Sequence, residues 1–362
     1  MKKLRTIVII AICAARVFGN IASASSPGVK MGTTFHDLQK YGSMNRQIAI
    51  TDSLHIIYFS FTNKDNDHVN GHRNVRGQAY DPSFGAVTLF SPIDIGGPLD
   101  SKHRSGFTTL DVIGADSAVA VMGWDKNYVP PGKEIPYAYV NGIPGLMDFV
   151  EISPQGSVPE SLWIDSLSTG GAVYSWPRVA VTDDGGCGQV IHLVIHDDGQ
   201  TGYFMYVRRI LGDTNWTHGY RFGQGGFRTP AITASRQSQK VGIAWSGGRG
   251  DGAEFGASVD RYDGDTSGQW DNDLYYMESQ DCGANWGPIH NITQYPDDSS
   301  GGFRAHARVT VIYDTRDSLH MAWAAARWNG YGGPFGYSGK ILHYDTESKA
   351  IRTAVNGQWN PR

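Results

Sequence analysis

The sequence predicts an all-β protein, a β-propeller of four-stranded antiparallel blades, with five blades visible and six possible. Two observations predict this fold class. A two-part strand pattern is written five times along the chain, and the composition favours short strands joined by turns. Of the 362 residues, 46 are glycine, 12% are aromatic and only 18% are charged. We therefore expect residues 25–362 to form one large β domain.

Each repeated unit begins with a segment that leads into a β-branched inner strand. These segments start at Gly42, Ser105, Ser175, Gly225 and Gly301. A short polar turn follows, and then an apolar second strand that usually closes on an aromatic residue. The second strands start at Leu54, Val119, Ile191, Val241 and Leu319. A third, aromatic strand and a weaker fourth complete the unit, so that each unit supplies one blade.

The apolar runs in the inner strands are nearly continuous, which indicates that both faces of each sheet are covered, as they are when blades pack against one another. A tryptophan closes three of the second strands, and we predict core positions between blades for Trp124, Trp245 and Trp323. A histidine recurs at one position of the second strand, at His55, His192 and His320. A structural hydrogen bond explains a repeated histidine better than metal binding does.

The sequence leaves the closure of the ring open. Residues 32–37 precede the first blade and are suited to supply the outer strand of the last one. The fifth unit nevertheless contains a fourth strand of its own, which begins near Ala350. A five-bladed ring, a six-bladed ring with a divergent blade and a piece of a longer protein all fit the pattern.

The N-terminus has the three parts of a secretory signal. Lys2, Lys3 and Arg5 precede an apolar run at residues 7–15, and residues 22–24 read Ala-Ser-Ala, which suits a cleavage site. We predict a mature chain that starts at Ser25 and is secreted to the periplasm, the extracellular space or the cell surface. The apolar run is too short to cross a bilayer, and no later segment reaches about 18 apolar residues, so no membrane span is expected.

The charge of the chain argues against a nucleic-acid partner. The formal charge is −4, and removal of residues 1–24 takes away four positive charges and no negative charge, which leaves −8. Proteins that bind nucleic acid need clustered positive charge. The expected partner is instead a glycan or a cell-surface or extracellular protein.

Cysteine usage allows one disulfide. Cys13 lies in the predicted signal, so Cys187 and Cys282 remain in the mature chain. Both lie in predicted turns of adjacent units, and an oxidising compartment permits a bond between them. Spacing alone does not establish the Cα separation of roughly 6 Å that a bridge needs. One disulfide and two free turn cysteines both stay open.

Residues 279–286 carry the strongest motif in the chain. Ser279, Asp281, Gly283 and Trp286 fit the pattern S-x-D-x-G-x-x-W. Asp281 is suited to accept backbone N–H bonds and Gly283 to adopt a positive φ, as a tight turn requires. The segment resembles the Asp-box of sialidase-like β-propellers. That resemblance implies a structural turn between two outer strands, on the face opposite the ligand site.

Arginines stand at or just before the inner strands, and we call them the strand-start arginines: Arg46, Arg178, Arg228, Arg304 and Arg308. Two interpretations stay open. Guanidinium groups that converge at the mouth of a propeller would bind a carboxylate through paired hydrogen bonds. Alternatively, each arginine pairs with a turn carboxylate, such as Asp183 or Asp314, and closes its blade.

The resemblance to sialidases gives the first interpretation a chemical role. That family holds the sugar carboxylate with an arginine triad, which implies Arg46, Arg228 and Arg304 in this chain. Arg46 is followed by Gln47 and Ile48, where the family has Ile-Pro. Sialidases also use a tyrosine nucleophile activated by a glutamate. The loops offer several such residues, and no spacing selects among Glu254, Tyr262, Tyr331 and Tyr337.

Long loops between second and third strands are expected to emerge at one mouth of the central channel, at residues 63–74, 126–144, 247–272 and 328–338. Their aromatic side chains offer flat faces for sugar rings, notably at Trp270, Tyr331 and Tyr337. Five carboxylates lie within fourteen residues, which suggests a structural Ca²⁺ site, with a solvated acidic turn as the alternative: Asp260, Asp263, Asp265, Asp271 and Asp273.

Two functional hypotheses follow from these patterns. The first is a secreted, non-catalytic β-propeller that binds a glycan or a protein partner through its loop-rich face. The alternative is a glycoside hydrolase of sialidase type that acts on an acidic sugar. A purely structural module of a larger surface protein is a third, weaker interpretation.

Overall fold

The computed structural model describes residues 46–64, 73–80, 93–94, 104–114, 117–125, 146–153, 156–162, 174–183, 186–197, 203–213, 216–217, 220–224, 230–248, 272–295, 302–328 and 334–358. All of them belong to one compact unit, Thr33–Arg362. They form twenty strands and no helix, and hence none long and apolar enough to cross a membrane. The predicted signal at residues 1–24 and the segment at residues 32–37 lie outside the described residues.

The strands form five sheets of four antiparallel strands each, in chain order. The first sheet holds β1 (Ile48–Ile50), β2 (Ile57–Lys64), β3 (Arg73–Tyr80) and β4 (Ile93–Asp94). The second holds β5 (Arg104–Ile113), β6 (Ser117–Asp125), β7 (Leu146–Ser153) and β8 (Gly156–Leu162). The third holds β9 (Tyr174–Thr182), β10 (Val190–Asp197), β11 (Tyr203–Ile210) and β12 (Tyr220–Gln224).

The fourth sheet holds β13 (Ala231–Ala234), β14 (Val241–Gly248), β15 (Asn272–Ser279) and β16 (His290–Asn291). The fifth holds β17 (Gly302–Tyr313), β18 (Leu319–Trp328), β19 (Pro334–Asp345) and β20 (Arg352–Gln358). Within each sheet, strands that follow one another in sequence are hydrogen-bonded neighbours. The first strands of consecutive sheets also lie beside one another, from β1 through β5, β9 and β13 to β17. The prediction of an all-β fold with five four-stranded antiparallel blades in series is confirmed, and closure of these blades into a ring stays a prediction.

The core consists of layers between consecutive sheets, and the second strands form their centre. Trp245 is fully buried between the third and fourth sheets, and Trp323 is 1% exposed between the fourth and fifth. Both tryptophans therefore occupy the predicted core positions, while the side chain of Trp124 lies outside the described residues. Each such burial stabilises the fold by about 2–3 kcal/mol.

Two sheet faces at the ends of the series carry exposed apolar side chains. On β1, Ile48 and Ile50 are 58% and 51% exposed. On β17, Val311 packs toward the fourth sheet, while Ile312 on the opposite face is 60% exposed. Side chains alternate along a strand, so one face of the fifth sheet is core and the other is surface.

Residues 279–286 form a tight turn between β15 and β16, the third and fourth strands of their sheet. The Ser279 hydroxyl accepts hydrogen bonds from the backbone N–H of Asp281 (3.3 Å) and Gly283 (2.8 Å). Asp281 accepts the N–H and the side-chain amide of Asn285 at 2.8 and 2.7 Å. Trp286 packs edge-on against Tyr206 of the third sheet, with ring centroids 4.8 Å apart. The turn thus fastens the fourth sheet to the third.

A disulfide joins the same two sheets. Cys187, in the turn after β9, is bonded to Cys282 in the turn after β15, with the Cα atoms 6.5 Å apart. This resolves the alternatives that spacing left open in favour of the bridge. Arg208 of β11 adds a hydrogen bond of 2.8 Å to the Cys282 carbonyl oxygen.

The recurring histidines do not all lie in strands. His192 lies in β10, fully buried, and is hydrogen-bonded to the hydroxyls of Thr182 (2.7 Å) and Tyr206 (2.8 Å), which confirms the structural role predicted for it. His55 lies in a turn, with a φ of 54°, because β2 begins only at Ile57. The prediction that the strand starts at Leu54 is therefore wrong. The Thr51 hydroxyl and carbonyl accept the N–H groups of Ile56 and His55, so the turn extends to residue 56.

Candidate functional site

The loops predicted to surround the mouth lie largely outside the described residues. The same holds for Arg228, which precedes β13, and for most of the site residues proposed on the loops, namely Asp260, Asp263, Asp265, Trp270, Asp271 and Tyr331. Tyr337 lies in β19, but its side chain is not among those described. Among the proposed site residues whose side chains the structure describes, Asp273 lies at the start of β15, Arg304 near the start of β17 and Arg178 in the middle of β9.

Arg304 is the third residue of β17 and is only 4% exposed. Its guanidinium carbon lies 5.1 Å from the centroid of the Tyr295 ring, a cation–π contact between the fifth sheet and the segment that leads into it. Burial raises the pKa of Tyr295, and the effect of Arg304 only partly offsets that rise. The phenol therefore stays protonated at neutral pH.

Asp273, the second residue of β15, holds the segment that follows β16 and contains Tyr295. It is 2% exposed and accepts three hydrogen bonds: from the Asn291 amide (2.7 Å), the Thr293 hydroxyl (2.6 Å) and the Tyr295 N–H (2.9 Å). The segment after β16 is thereby tied to β15, and Tyr295 is held against Arg304. Asp273 was proposed as one of five Ca²⁺ ligands, and calcium stays a prediction because the other four lie outside the described residues.

Arg178, in the middle of β9, lies within the third sheet's buried framework. It is 2% exposed, and its guanidinium donates a hydrogen bond of 2.9 Å to the Pro177 carbonyl oxygen. Burial lowers the pKa of Arg178 to about 9, so that it still carries a charge at neutral pH. A buried charge of this kind contributes to the framework rather than offering an open fork to a solute.

Arg46, just before β1, is part of an ion cluster around a buried carboxylate. Its guanidinium binds Asp111, which is 1% exposed and also receives the Arg236 guanidinium at 2.6 Å. The N–H groups of Val112 and Val181 donate to the same carboxylate, each at 2.9 Å. The cluster connects residues of the first four sheets around one carboxylate.

Electrostatics keep this carboxylate ionised. Burial by itself would raise the pKa of Asp111, but Arg46, Arg236 and the two backbone N–H groups outweigh it and hold the pKa below its usual value. Arg46 thus follows the interpretation in which an arginine pairs with a carboxylate of the fold, although the partner is in a strand. The turn carboxylates named for that role hold turns instead. Asp183 accepts the Gly114 N–H at 2.7 Å, and Asp314 accepts the Ser318 N–H at 2.9 Å.

Arg308 is exposed and lies where the β17–β18 register shifts, between Ala305 and Val309. The described strand-start arginines therefore have four different surroundings: an ion cluster for Arg46, burial in the third sheet for Arg178, an aromatic ring for Arg304 and solvent for Arg308.

Sequence reasoning missed Asp111 and Arg236. Asp111 follows Leu110 and precedes Val112 and Ile113 in an otherwise apolar run. A carboxylate in such a strand is a signal for a buried partner, because an unpaired buried charge is strongly unfavourable. Arg236 gives no comparable signal, since it lies in a polar turn 125 residues away in sequence.

No protein-family model matches the chain, and no curated protein matches its sequence. Among solved structures, a polysaccharide lyase of family PL25, an ulvan lyase bound to -[GlcA(1-4)Rha3S]-, is 12% identical, with 88% of this chain and 73% of the lyase covered and a TM-score of 0.46. A sialidase from Trypanosoma rangeli is 12% identical, with a TM-score of 0.45. The alignment covers 90% of this chain and only 50% of the sialidase.

An α-L-arabinofuranosidase from Podospora anserina, determined with cellotriose, is 10% identical, with 90% of this chain and 94% of that enzyme covered and a TM-score of 0.39. All three proteins are carbohydrate-active enzymes. At identities of 10–12%, the function of this chain has to be argued from its own residues.

Proposed function

We propose that the protein is a secreted, non-catalytic β-propeller that binds a glycan through its loop-rich mouth. The observation that carries the proposal is the engagement of the strand-start arginines. Arg46 is paired with Asp111, and Arg178 and Arg304 are 2% and 4% exposed. Arg46 links two sheets through Asp111, Arg178 is buried within the third sheet, and Arg304 packs against Tyr295.

A sialidase-type clamp would require Arg46, Arg228 and Arg304 to meet at one ligand carboxylate. Arg46 would have to leave Asp111, which is 1% exposed, and loss of a hydrogen bond to a charged group costs about 1.5–3 kcal/mol. Arg304 would have to leave the ring of Tyr295. Binding of an acidic sugar at these groups would therefore work against the stability of the fold, which favours binding by the loops over catalysis at the strand ends.

The loops themselves carry the groups that recognise sugars. Aromatic rings stack on the apolar faces of sugar rings, and carboxylates accept hydrogen bonds from hydroxyl groups. The loop between β14 and β15 contains both kinds, with Trp270 beside Asp271, and Tyr331 and Tyr337 lie in or next to the corresponding loop of the fifth sheet. Asp273, Tyr295 and Arg304 are linked to one another near the described starts of β15 and β17.

A glycan array probed with the purified mature chain tests the proposal. We expect binding to a restricted set of glycans, reduced at least about tenfold by Trp270→Ala and by Tyr331→Ala, because each removes a stacking face. Tyr220→Ala is the matched control. Tyr220 is 43% exposed on β12, an outer strand, and its loss should leave binding unchanged. Equal losses in all three variants, or no retention of any glycan, would contradict the proposal.

A fluorogenic sialoside separates binding from catalysis. We expect no release of fluorophore above the rate in buffer. Turnover that disappears in Arg304→Lys and in Tyr331→Phe, while circular dichroism shows that both variants are folded, would establish the hydrolase alternative instead.

N-terminal sequencing of the exported protein tests the predicted signal. We expect the sequence to begin at Ser25, and a retained residue 1 would contradict secretion by this signal.

A further inference from the structure

The outward face of the fifth sheet holds three side chains of metal-ligating types: His320, His343 and Asp345. His320 in β18 is the direct cross-strand partner of Asp345 in β19, and His343 precedes Asp345 by two residues on the same strand. Residues two apart on a strand share a face, so the antiparallel pair places all three side chains together. This is the face that carries exposed Ile312, the cross-strand partner of His320 in β17.

The distances between the three groups suit a small cation. His320 Nδ1 and His343 Nε2 are 3.0 Å apart, and one ligand atom from each of the three residues lies within 4.8 Å of the others. Two nitrogens bound to one tetrahedral Zn²⁺ at about 2.05 Å would be about 3.3 Å apart. The imidazole pair is therefore already near the required separation. The carboxylate has to approach by at most roughly 1.5 Å.

A second carboxylate orients His320. Its Nε2 lies 3.2 Å from Asp314 Oδ2, on the opposite side of the ring from His343. A proton on Nε2 that is donated to Asp314 leaves the lone pair of Nδ1 directed toward His343 Nε2. A carboxylate that accepts the N–H of the ring nitrogen not bound to the metal is the usual outer-shell partner of a histidine in zinc sites.

Asp345, the third proposed ligand, is hydrogen-bonded to Ser348 and also lies near the cationic side chain of Arg352. Asp345 accepts the N–H and the hydroxyl of Ser348, each at 2.6 Å, which leaves further lone pairs on both oxygens. The Arg352 guanidinium lies 3.6 Å from Asp345 Oδ2 and is 60% exposed. A metal ion would compete with this arginine for the carboxylate, so Arg352 should weaken binding.

We propose that His320, His343 and Asp345 bind one Zn²⁺ ion at the surface of the fifth sheet, with a water molecule at the fourth position. Imidazole nitrogen is a borderline ligand, so a site with two imidazoles and one carboxylate suits Zn²⁺ better than the hard cations Ca²⁺ and Mg²⁺. The site is separate from the loops of the proposed glycan site and does not depend on that function. It also lies outside the acidic stretch of residues 260–273.

Isothermal titration of the chelator-treated full chain with ZnCl₂ tests the proposal. We expect one saturable site per chain. His343→Gln and His320→Gln should each weaken it at least about 100-fold, since loss of an outer-shell partner alone costs 10–100-fold. Asp314→Asn should weaken it about tenfold for that reason. His290→Gln is the control, because His290 is also exposed but stacks on Tyr276 at 4.8 Å, away from the cluster.

Arg352→Gln gives a test of opposite sign. Removal of the competing cation should tighten Zn²⁺ binding several-fold, whereas a variant that merely damages the sheet would weaken it. Circular dichroism and the unfolding midpoint of each metal-free variant show whether it is folded. The absence of a one-to-one site, or binding that His290→Gln lowers as much as His343→Gln does, would overturn the proposal.

Discussion

The third and fifth sheets place a histidine at corresponding positions of their second strands, and the two have opposite surroundings. His192 is fully buried between Thr182 and Tyr206, under the turn of the fourth sheet that contains Gly283. The His320 side chain is 27% exposed between Asp314 and His343. The comparison teaches that the repeat supplies the residue, while the neighbouring sheet decides whether it becomes part of the core or an accessible ligand.

The largest difference between the two regions should come from the disulfide, which is present only at the junction of the third and fourth sheets. The double variant Cys187→Ser, Cys282→Ser opens a link between residues 95 apart in sequence. We expect it to lower the free energy of unfolding by about 4 kcal/mol, because the unfolded chain gains freedom. Urea unfolding measures the change. An unchanged midpoint would show that the packing alone secures the junction. Zn²⁺ binding by the fifth sheet should persist.

Replacement of Asp111 should have the next largest effect. Asp111→Asn removes a buried charge that is hydrogen-bonded to Arg46 and Arg236, whose side chains are each 28% exposed, at a cost of about 3 kcal/mol. Because the folded-state pKa of Asp111 is below its usual value of about 3.9, its contribution is complete above that pH and is lost as the pH falls below it. The variant should therefore lose less stability than the wild type below about pH 4. Asp213→Asn, at an exposed carboxylate, is the control and should change neither quantity.

At the junction of the third and fourth sheets, two glycines have nearly the same φ. Alanine variants at these two positions separate the cost of overpacking from the cost of backbone strain. Gly283 has a φ of 74°, and a Cβ there would lie 1.8 Å from Tyr206 Oη. Gly188 has a φ of 73°, and a Cβ there would meet nothing within 4 Å. Both alanine variants carry backbone strain of about 1–2 kcal/mol, and Gly283→Ala should cost about 2 kcal/mol more from overpacking. Thermal and urea unfolding of the pair give the difference, and equal losses would mean that Tyr206 moves freely.

The last prediction distinguishes His192 from His320 by how the free energy of unfolding depends on pH. Burial, with a contribution from Arg208, lowers the pKa of His192 to about 3, whereas an unfolded histidine titrates near 6.5. The free energy of unfolding has its full value above pH 6.5. It should fall by about 2 kcal/mol between pH 7 and pH 5, because the unfolded state takes up a proton on His192. His192→Gln should remove this slope and His320→Gln should keep it. A wild-type slope that survives in His192→Gln would assign the proton to another group.

The sequence predicted the part of the fold that repeats locally. The strands and polar turns recur within short stretches of sequence, and the pattern of residues 279–286 is itself only eight residues long. The five units and the turn between β15 and β16 could therefore be predicted. The start of β2 was not, because Thr51 captures the N–H groups of His55 and Ile56 and extends the turn through part of an apolar run.

The candidate functional site depends on contacts between residues that are far apart in sequence, and the sequence predicted these contacts less well than it predicted the strands. The strand-start arginines were recognisable as a set, but their partners were not. Asp111 joins Arg46 across 65 residues and Arg236 across 125, and no spacing rule connects them. The cluster of His320, His343 and Asp345 follows from the pairing of β18 with β19, which the sequence predicted only as adjacent strands.

The link between Cys187 and Cys282 has a consequence for biosynthesis. During synthesis, position 187 emerges 95 residues before its partner, and its thiol has to wait unpaired until the last turn of the fourth sheet is complete. A precursor that retains Cys13 contains three thiols and therefore three pairings, of which one is native. On the prediction that residues 1–24 are a cleaved signal, their removal ahead of oxidation leaves a single pairing, that of Cys187 with Cys282.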